Sequence, residues 1–542
     1  MAVIAGSDLL RGVLDEQQAP LSQIMFKVVA ARLDLALQAG INNNLLGVLL
    51  ASLPTLRESV ANSGSPVPFA LGAVIAQVRS ALEDSGSGSG DGDTGTSTLL
   101  TQAQALSQSN PKLGTLATPQ TANLNTLLSG YYWGSGQKTI TYGFNHAMPN
   151  EYQRDIDISN AQWQALNETE KQTVRATFAE LNALLKVQFQ ELALGESADI
   201  RWNALDMDEG LAGFAYYPDQ SAVGGDVFLS AGYRDSEGVA YYARNGGFGA
   251  HTITHELGHA LGLSHPFAED DSPGKPVLPK ALDNLAHTLM TYEEVGVHHA
   301  VFKWSNGRLE WESKGVYPSS FAVLDVQALQ AIYGANTSTR TGNDVYTVNS
   351  SQLQQLTIWD AGGTDTIDAS ANAGRSIVDL RDGASSSIGV LSLDEMVKIE
   401  ADKLIAQGGK ADFVTTNVRE VLQRMDTEGT LYDGADNLSI VKGAVIENVR
   451  TGAGDDVVYD NAVNNRIETG AGNDTIYLGA GGFDWVDAGT GLDTVVFKEV
   501  RQSAVQHGKQ QDGSWLVVHD SFAVQLLGVE TLQFADGSIA LA

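Results

Sequence analysis

Between Thr451 and Asp493 glycine and aspartate return at a regular step, and that step constrains the fold more than anything else in the 542-residue chain. Thr451–Asp456 (TGAGDD), Thr469–Asp474 (TGAGND), Gly479–Asp484 (GAGGFD) and Ala488–Asp493 (AGTGLD) approximate one nonapeptide, G-G-x-G-x-D-x-U-x, with U apolar. Asp456 and Asp474 lie two nonapeptides apart with Asn465 at the step between them, while Asp484 falls one residue out of period. Apolar residues follow the aspartates at Val458, Ile476, Val486 and Val495. Glycine lets the chain turn every few residues, so the pattern predicts short strands whose tight turns stack on one another. The same stretch carries eight acidic residues, Asp455, Asp456, Asp460, Glu468, Asp474, Asp484, Asp487 and Asp493, against Arg466 alone. Turns so charged repel unless cations lie between them. Exposed carbonyls and carboxylates are the ligands that calcium gathers in sets of about six to eight. The competing reading, ordinary Gly-Asp turns in a β domain, leaves the period unexplained.

The rest of the chain is read against that acidic end. Lys plus Arg number 33 and Asp plus Glu 65, a net charge of −32, which argues against nucleic acid or anionic membrane as a partner. There is no cysteine, so disulfides, thiolate zinc sites and cysteine nucleophiles are excluded. The longest apolar run, Leu45–Leu53, falls well short of the roughly 18 residues of a membrane-spanning helix. The opening MAVIAGSDLLRG lacks the basic-then-apolar order of a signal peptide. The expectation is a chain that is cytoplasmic or is exported without a cleaved leader. Residues 1–84, with Ile24, Val28, Val29, Leu33 and Leu37 at helical spacing, read as amphipathic helices, and the Gly/Ser-rich 85–98 as a flexible linker. Mixed helix and strand patterns fill 99–335. Gly-Asx turns dominate 336–542, where 391–436, containing VREVLQRMD, reads as a helical insertion.

Inside the mixed region His251–Pro266 reads HTITHELGHALGLSHP. Residues four apart share a helix face, so His255 and His259 present two imidazoles to one point. Glu256 lies beside the first, placed for a base that is not a ligand. Gly262 permits the left-handed backbone that ends a helix and turns the chain back, bringing His265 round as third ligand. Three histidines leave a fourth position for water, as catalytic zinc requires. A bare HExxH arises on helices by chance, but the full H-E-x-x-H-x-x-G-x-x-H is the metzincin signature. Met290, in Thr288–Tyr292 (TLMTY), matches the metzincin Met-turn. His251 also precedes His255 by four residues. At about 1.5 Å per residue, however, it stands roughly 12 Å from His259, too far to share an ion, and reads as a histidine behind the ligands or at the surface. His298 and His299 read as surface loop residues.

GFGAHTITHELGHALGLSHP, the LMTY turn and Leu324–Gly342 (LDVQALQAIYGANTSTRTG) together resemble the serralysins, secreted bacterial metzincin proteases of peptidase family M10 with an RTX calcium-binding C-terminal domain. The likeness runs from Ser129 to the end. It implies a multidomain chain: an α-helical N-terminal region, an α+β metzincin catalytic domain over 99–335, and a C-terminal parallel β-roll over 336–542 that ends in a secretion signal. By resemblance GDVFLS is the edge strand along which peptide substrate aligns. Tyr292 takes the place of the family's tyrosine that swings between zinc and the reaction oxyanion, so it counts both as a zinc ligand and as catalytic. Met290 and Gly262 are structural. Arg340, Gly342, Asp344, Asp360, Gly362, Gly363, Asp365 and Glu447 match earlier calcium positions, several of them through backbone carbonyls, and join Asp456, Asp474, Asp484 and Asp493.

The implied activity is a zinc metalloendopeptidase with one catalytic zinc, several structural calcium ions and protein or peptide substrates. The implied route is type I secretion from a Gram-negative bacterium, as a monomer without a transmembrane segment. Residues 1–84 are then a prodomain, as in a zymogen, or a targeting or binding module. Three features depart from the family: those helices, a short segment between His265 and Met290, and the 391–436 insertion. An alternative is a calcium-dependent adhesion protein whose protease domain is incidental, which gives no reason for an intact Glu256. Another is a cytoplasmic peptidase with a regulatory helical domain, where calcium is too scarce to fill such repeats.

Overall fold

The computed structural model describes residues 113–114, 122–134, 138–150, 152, 163–193, 197–207, 211–219, 221–234, 242, 247–268, 275–318, 320–353 and 355–541. The helices expected over 1–84 and the linker expected over 85–98 lie outside the described residues. The chain divides into two compact units. The first draws on residues up to 179, 187–243 and 252–279, and the second on 180–186, 244–251 and everything from 280.

The first unit is organised by a mixed sheet. Strand β1 (Thr139–Phe144) alternates buried Ile140 and Tyr142 with more exposed neighbours, the period of a half-covered strand. After β2 (Trp163–Gln164), Asn167 and Glu170 exchange side-chain and backbone hydrogen bonds at 3.0 and 2.8 Å, a reciprocal cap that starts helix α1 (Glu168–Leu184). Val174, Phe178 and Leu181 recur at helical spacing and are buried, and Phe178 stacks on Tyr142 with ring centres 3.8 Å apart. Strands β3 (Gln188–Glu191), β4 (Ile200–Leu205), β5 (Gly213–Ala215) and β6 (Val227–Ser230) complete the sheet in the order β3-β1-β4-β6-β5. All neighbours on that path are parallel except β5, which runs antiparallel to β6, and β2 pairs antiparallel with β4.

This order corrects one expectation. GDVFLS is not the edge strand: β6 lies inside the sheet between β4 and β5, and all four of its residues are buried. The strand that ends the sheet on that side is β5, whose three residues Gly-Phe-Ala carry no strand signal, so only the pairing reveals it.

Helix α2 (Phe248–Ala260) carries the histidine motif. In the second unit β7 (His298–Ser305) and β8 (Arg308–Gly315) form a hairpin closed by Asn306-Gly307, both at positive φ (51° and 75°), as the turn matching strand twist requires. His298 and His299 therefore open a strand rather than lie in a loop. Helix α3 (Val323–Tyr333) follows, and the inserted stretch contains α4 (Leu393–Ala406) and α5 (Ala411–Thr427). Their apolar faces share a core (Val397, Ala401, Leu404, Val414, Val418, Leu422) against which Phe302, Trp304 and Leu309 of the hairpin pack. The strands on either side of the helix pair, Ser385–Val390 and Leu438–Ile440, are antiparallel neighbours, so the chain leaves and re-enters at adjacent positions.

The remainder is two stacks of short parallel strands. One holds Val345–Thr347, Thr366–Asp368, Asn448–Arg450, Arg466–Glu468, Phe483–Asp487 and Ala523–Leu527. The other holds Arg375–Asp379, Val457–Tyr459, Thr475–Tyr477, Thr494–Phe497 and Thr531–Phe534. From residue 448 to 497 the chain alternates between them, one strand to each. Val449, Ile467 and Val486 of one stack and Val458, Ile476 and Val495 of the other are fully buried, so one inward apolar residue per strand builds the core. Antiparallel strands finish both stacks, and Phe497 stacks on Phe522 and Phe534 at 5.2 and 5.3 Å.

Candidate metal centre and carboxylate turns

Helix α2 places His255 and His259 one turn apart, and the chain reverses at Gly262, whose φ is +97°. A side chain there is doubly barred, because a Cβ would lie 2.2 Å from the Tyr131 carbonyl oxygen. The reversal is pinned by Ser129, whose N–H and hydroxyl both donate to the Gly262 carbonyl at 3.0 and 2.7 Å. His265 then returns, and the three Nε2 atoms converge: His259 and His265 are 3.2 Å apart, His265 and His255 3.3 Å. Three nitrogens each about 2.0 Å from a tetrahedral ion stand about 3.3 Å from one another. The donor set therefore fits a metal ion, and these three side chains form a buried ligand group.

Protonation agrees with that fit. Burial, with the neighbouring imidazoles, holds His259 and His265 well below the ordinary histidine pKa, so both are neutral and can ligate. Nδ1–H of His259 donates to the Leu263 carbonyl at 2.9 Å, leaving its Nε2 lone pair for the ion. Tyr217 meets the His259 ring edge-on at 5.6 Å and Phe267 stacks on His265 at 5.0 Å. Lys275 donates to the Ser264 hydroxyl and the His265 carbonyl at 2.6 and 2.7 Å, clamping the returning loop. Burial pushes the Glu256 carboxyl up to about 8, into the range of a proton acceptor working near neutrality. Strand β5 passes close by, since a Cβ on Gly213 would lie 3.1 Å from Cγ of Glu256. Tyr217, Phe267, Lys275 and Gly213 lie outside any motif, so spacing gave no sign of them. His251 is buried rather than at the surface, its ring 5.6 Å from that of Tyr317.

In the second unit Met290 is fully buried and Tyr292 is 46% exposed. The turn that carries them is tied to helix α3 by Asp325. That carboxylate accepts from the Thr288 hydroxyl (2.6 Å), the Leu289 N–H (2.7 Å) and the Ala322 N–H (3.0 Å). Asp325 sits within the quoted LDVQALQ segment, yet its role shows only in these contacts.

The turns of the stacks form carboxylate ladders. On one edge Oδ1 of Asp456 accepts from the Ser376 N–H, Asp474 from Asp456, and Asp493 from Asp474, at 2.6 to 2.8 Å. On the other, Asp365 accepts from the Asp344 N–H and Glu447 from Asp365, both at 2.7 Å, and Asp484 from Asn465 at 2.9 Å. Each ladder aspartate spends one oxygen this way. Oδ2 of Asp365, Asp474, Asp484 and Asp493 is buried with no hydrogen-bond partner. Burial accordingly pushes Asp365 and Asp493 up to about 6 and Asp484 to about 7. Asp344, Asp360 and Asp365 bring carboxylate oxygens within 4.8 Å of one another. Arg340 adopts positive φ (43°), and Gly363 approaches so closely that a Cβ would fall 1.7 Å from the Gly342 carbonyl oxygen. Gly362 donates its N–H to Asp360 at 2.9 Å. Buried carboxylate oxygens without a hydrogen-bond partner are donors suited to a hard cation.

Residues 322–424 match the family model described as Peptidase M10 serralysin C terminal. Over 295 residues the chain is 29% identical to a serralysin of Proteus mirabilis, covering 48% of this chain and 56% of that protein. It is 28% identical over 323 residues to a serralysin of Photorhabdus sp. (strain Az29), covering 54% and 62%. The chain is serralysin-like. It is also 28% identical over 357 residues to the metallopeptidase AprA of Pseudomonas marginalis, covering 60% of this chain and 61% of that one. The serralysin-like chain thus spans somewhat more than half the length of these relatives. The matched segment begins at α3, which holds Asp325, and ends within α5. No helix among the described residues is long and apolar enough to cross a membrane.

Proposed function

We propose that the chain is a zinc endopeptidase, exported as a serralysin-like protease and held folded at its C-terminal end by calcium. The convergence of three buried Nε2 atoms, those of His259 and His265 held neutral by burial, beside a buried carboxyl carries this reading. His255, His259 and His265 would hold the ion. Bound there, zinc would supply a Lewis acid that makes water more acidic and the scissile carbonyl more electrophilic. Glu256 accepts the water proton and returns it to the leaving amine. The Tyr292 hydroxyl donates to the oxygen that becomes negative in the transition state. Strand β5, the terminal strand beside Glu256, offers main-chain hydrogen bonds to an extended peptide.

The two stacks read as a parallel RTX β-roll over 336–542, with the protease over 99–335. The calcium ligands come from Arg340, Gly342, Asp344, Asp360, Gly362, Gly363, Asp365, Glu447, Asp456, Asp474, Asp484 and Asp493. Type I secretion, a monomeric state and a prodomain role for residues 1–84 complete the proposal. The adhesion alternative leaves the buried Glu256 without a task.

Glu256→Gln tests the reading. The variant should keep its zinc, measured by atomic absorption, and lose about 10²- to 10⁴-fold in hydrolysis of a quenched peptide. Full activity would remove Glu256 from the mechanism, and loss of zinc would make it structural.

A further inference from the structure

The ladder that runs through Glu447 and Asp484 is broken once, at Asn465. Asn465 and Asn461 are buried, and between them they use every polar atom of both side chains. Nδ2 of Asn465 donates to the Glu447 carbonyl and to Oδ1 of Asn461, both at 2.9 Å. Nδ2 of Asn461 donates to the Ile446 carbonyl at 2.8 Å and the Leu380 carbonyl at 3.1 Å. Oδ1 of Asn461 also accepts the Val463 N–H at 3.2 Å, and Oδ1 of Asn465 accepts the Asn461 N–H at 3.3 Å. The amides can face only this way, because carbonyl oxygens cannot donate and so must meet the NH₂ groups.

The consequence lies in the sign of the groups that line the seam. Where Asp474, Asp484 and Asp493 each turn an unpartnered carboxylate oxygen into the turns, a cation finds acceptors. Between the turn ending at Glu447 and the turn ending at Asn465, the carbonyls of Ile446 and Glu447 already face N–H donors. A cation placed there would meet the positive ends of two amides and would have to displace four hydrogen bonds from a buried site. We infer that this seam is closed by an asparagine clamp in place of a metal ion, so that the proposed calcium-binding stack contains one junction that needs no calcium. The inference rests on the calcium reading of the other turns.

Calcium counts on the full chain, by equilibrium dialysis after chelation, test it. Asn465→Ala should bind as many ions as the parent. The double variant Asn461→Asp with Asn465→Asp should bind one more, since carboxylates then replace the donors. If Asn465→Ala loses one ion, Asn465 is a ligand and the inference falls. Should that variant not fold, a crystal of the parent grown in calcium decides. Density at about 2.3–2.6 Å from the Glu447 carbonyl oxygen overturns the clamp, and its absence there with ions at Asp474 and Asp493 upholds it. A parent with no bound calcium at any turn overturns the calcium reading itself, and the inference with it.

Discussion

Glu256, the proposed base, shows how far the surroundings of a carboxyl decide its chemistry. Nothing charged neutralises it among the causes of its raised pKa. Burial alone pushes it to about 8, and it is flanked by a strand that approaches only because residue 213 has no side chain. His259 and His265 are held neutral by the same burial, so one apolar environment would prepare both the proposed base and the proposed ligands. Tyr292 stands differently. It is half exposed, as a hydroxyl that must reach a substrate would be, whereas a packing tyrosine would be buried. Tyr292→Phe should therefore lower kcat by about 10²-fold and leave KM nearly unchanged, the pattern of a contact made mainly in the transition state. Steady-state kinetics on a quenched peptide decide it. Unchanged kcat with a lower melting temperature would make Tyr292 a structural residue.

At the scale of elements, a turn is only as well placed as what holds its backbone. The Met290 turn has no regular structure of its own, and helix α3 supplies its anchor through one carboxylate with three donors, among them the Ala322 N–H at the helix start. Asp325→Ala strands those donors in a buried site. An unsatisfied buried donor costs roughly 1–3 kcal/mol, so a loss on the order of 3 kcal/mol or more is expected in thermal unfolding. Asp325→Asn keeps the volume and should fall between the two. A melting temperature unmoved by Asp325→Ala would show that other contacts suffice. The hairpin β7–β8 and the helix pair α4–α5 make the opposite point. Segments far apart in the chain pack their apolar side chains into one core.

For the whole molecule the dominant force at the C-terminal end is charge. Carboxylates stack at most of the turns, several with a buried oxygen unsatisfied, a repulsion that the proposed calcium ions would relieve. A ligand that binds only the folded state stabilises it by RT ln(1 + [L]/Kd), about 2.7 kcal/mol at a hundredfold excess. Stacked turns lean on their neighbours, so the transition should be cooperative. Circular dichroism of the full chain, titrated with calcium after chelation, should show a sharp gain of β signal. Magnesium, reluctant to shed its water, should not reproduce it. An equal response to magnesium, or none to calcium, would leave the ladders as hydrogen-bonded turns without ions.

What the sequence determined by itself is whatever local geometry repeats. Helical period places His255 and His259 on one face. A lone glycine permits the reversal at residue 262, and the Gly-Asp step places one inward apolar residue on each strand of the two stacks. Those properties depend on a few consecutive dihedral angles, and composition controls them directly. The tertiary structure alone decided which strand ends the first unit's sheet. It also decided that Gly213 shelters Glu256, that Asp325 holds a turn 35 or more residues before it in sequence, and that Asn465 breaks a ladder its spacing seemed to continue. GDVFLS reads as a strand and Gly213–Ala215 (GFA) carries no strand signal, so only pairing shows that the second lies outside the first. Asn465 sits on period with the aspartates, and only the direction of its amide protons separates a ligand position from a clamp. Such choices turn on contacts between residues far apart in the chain, whose energies no local pattern encodes.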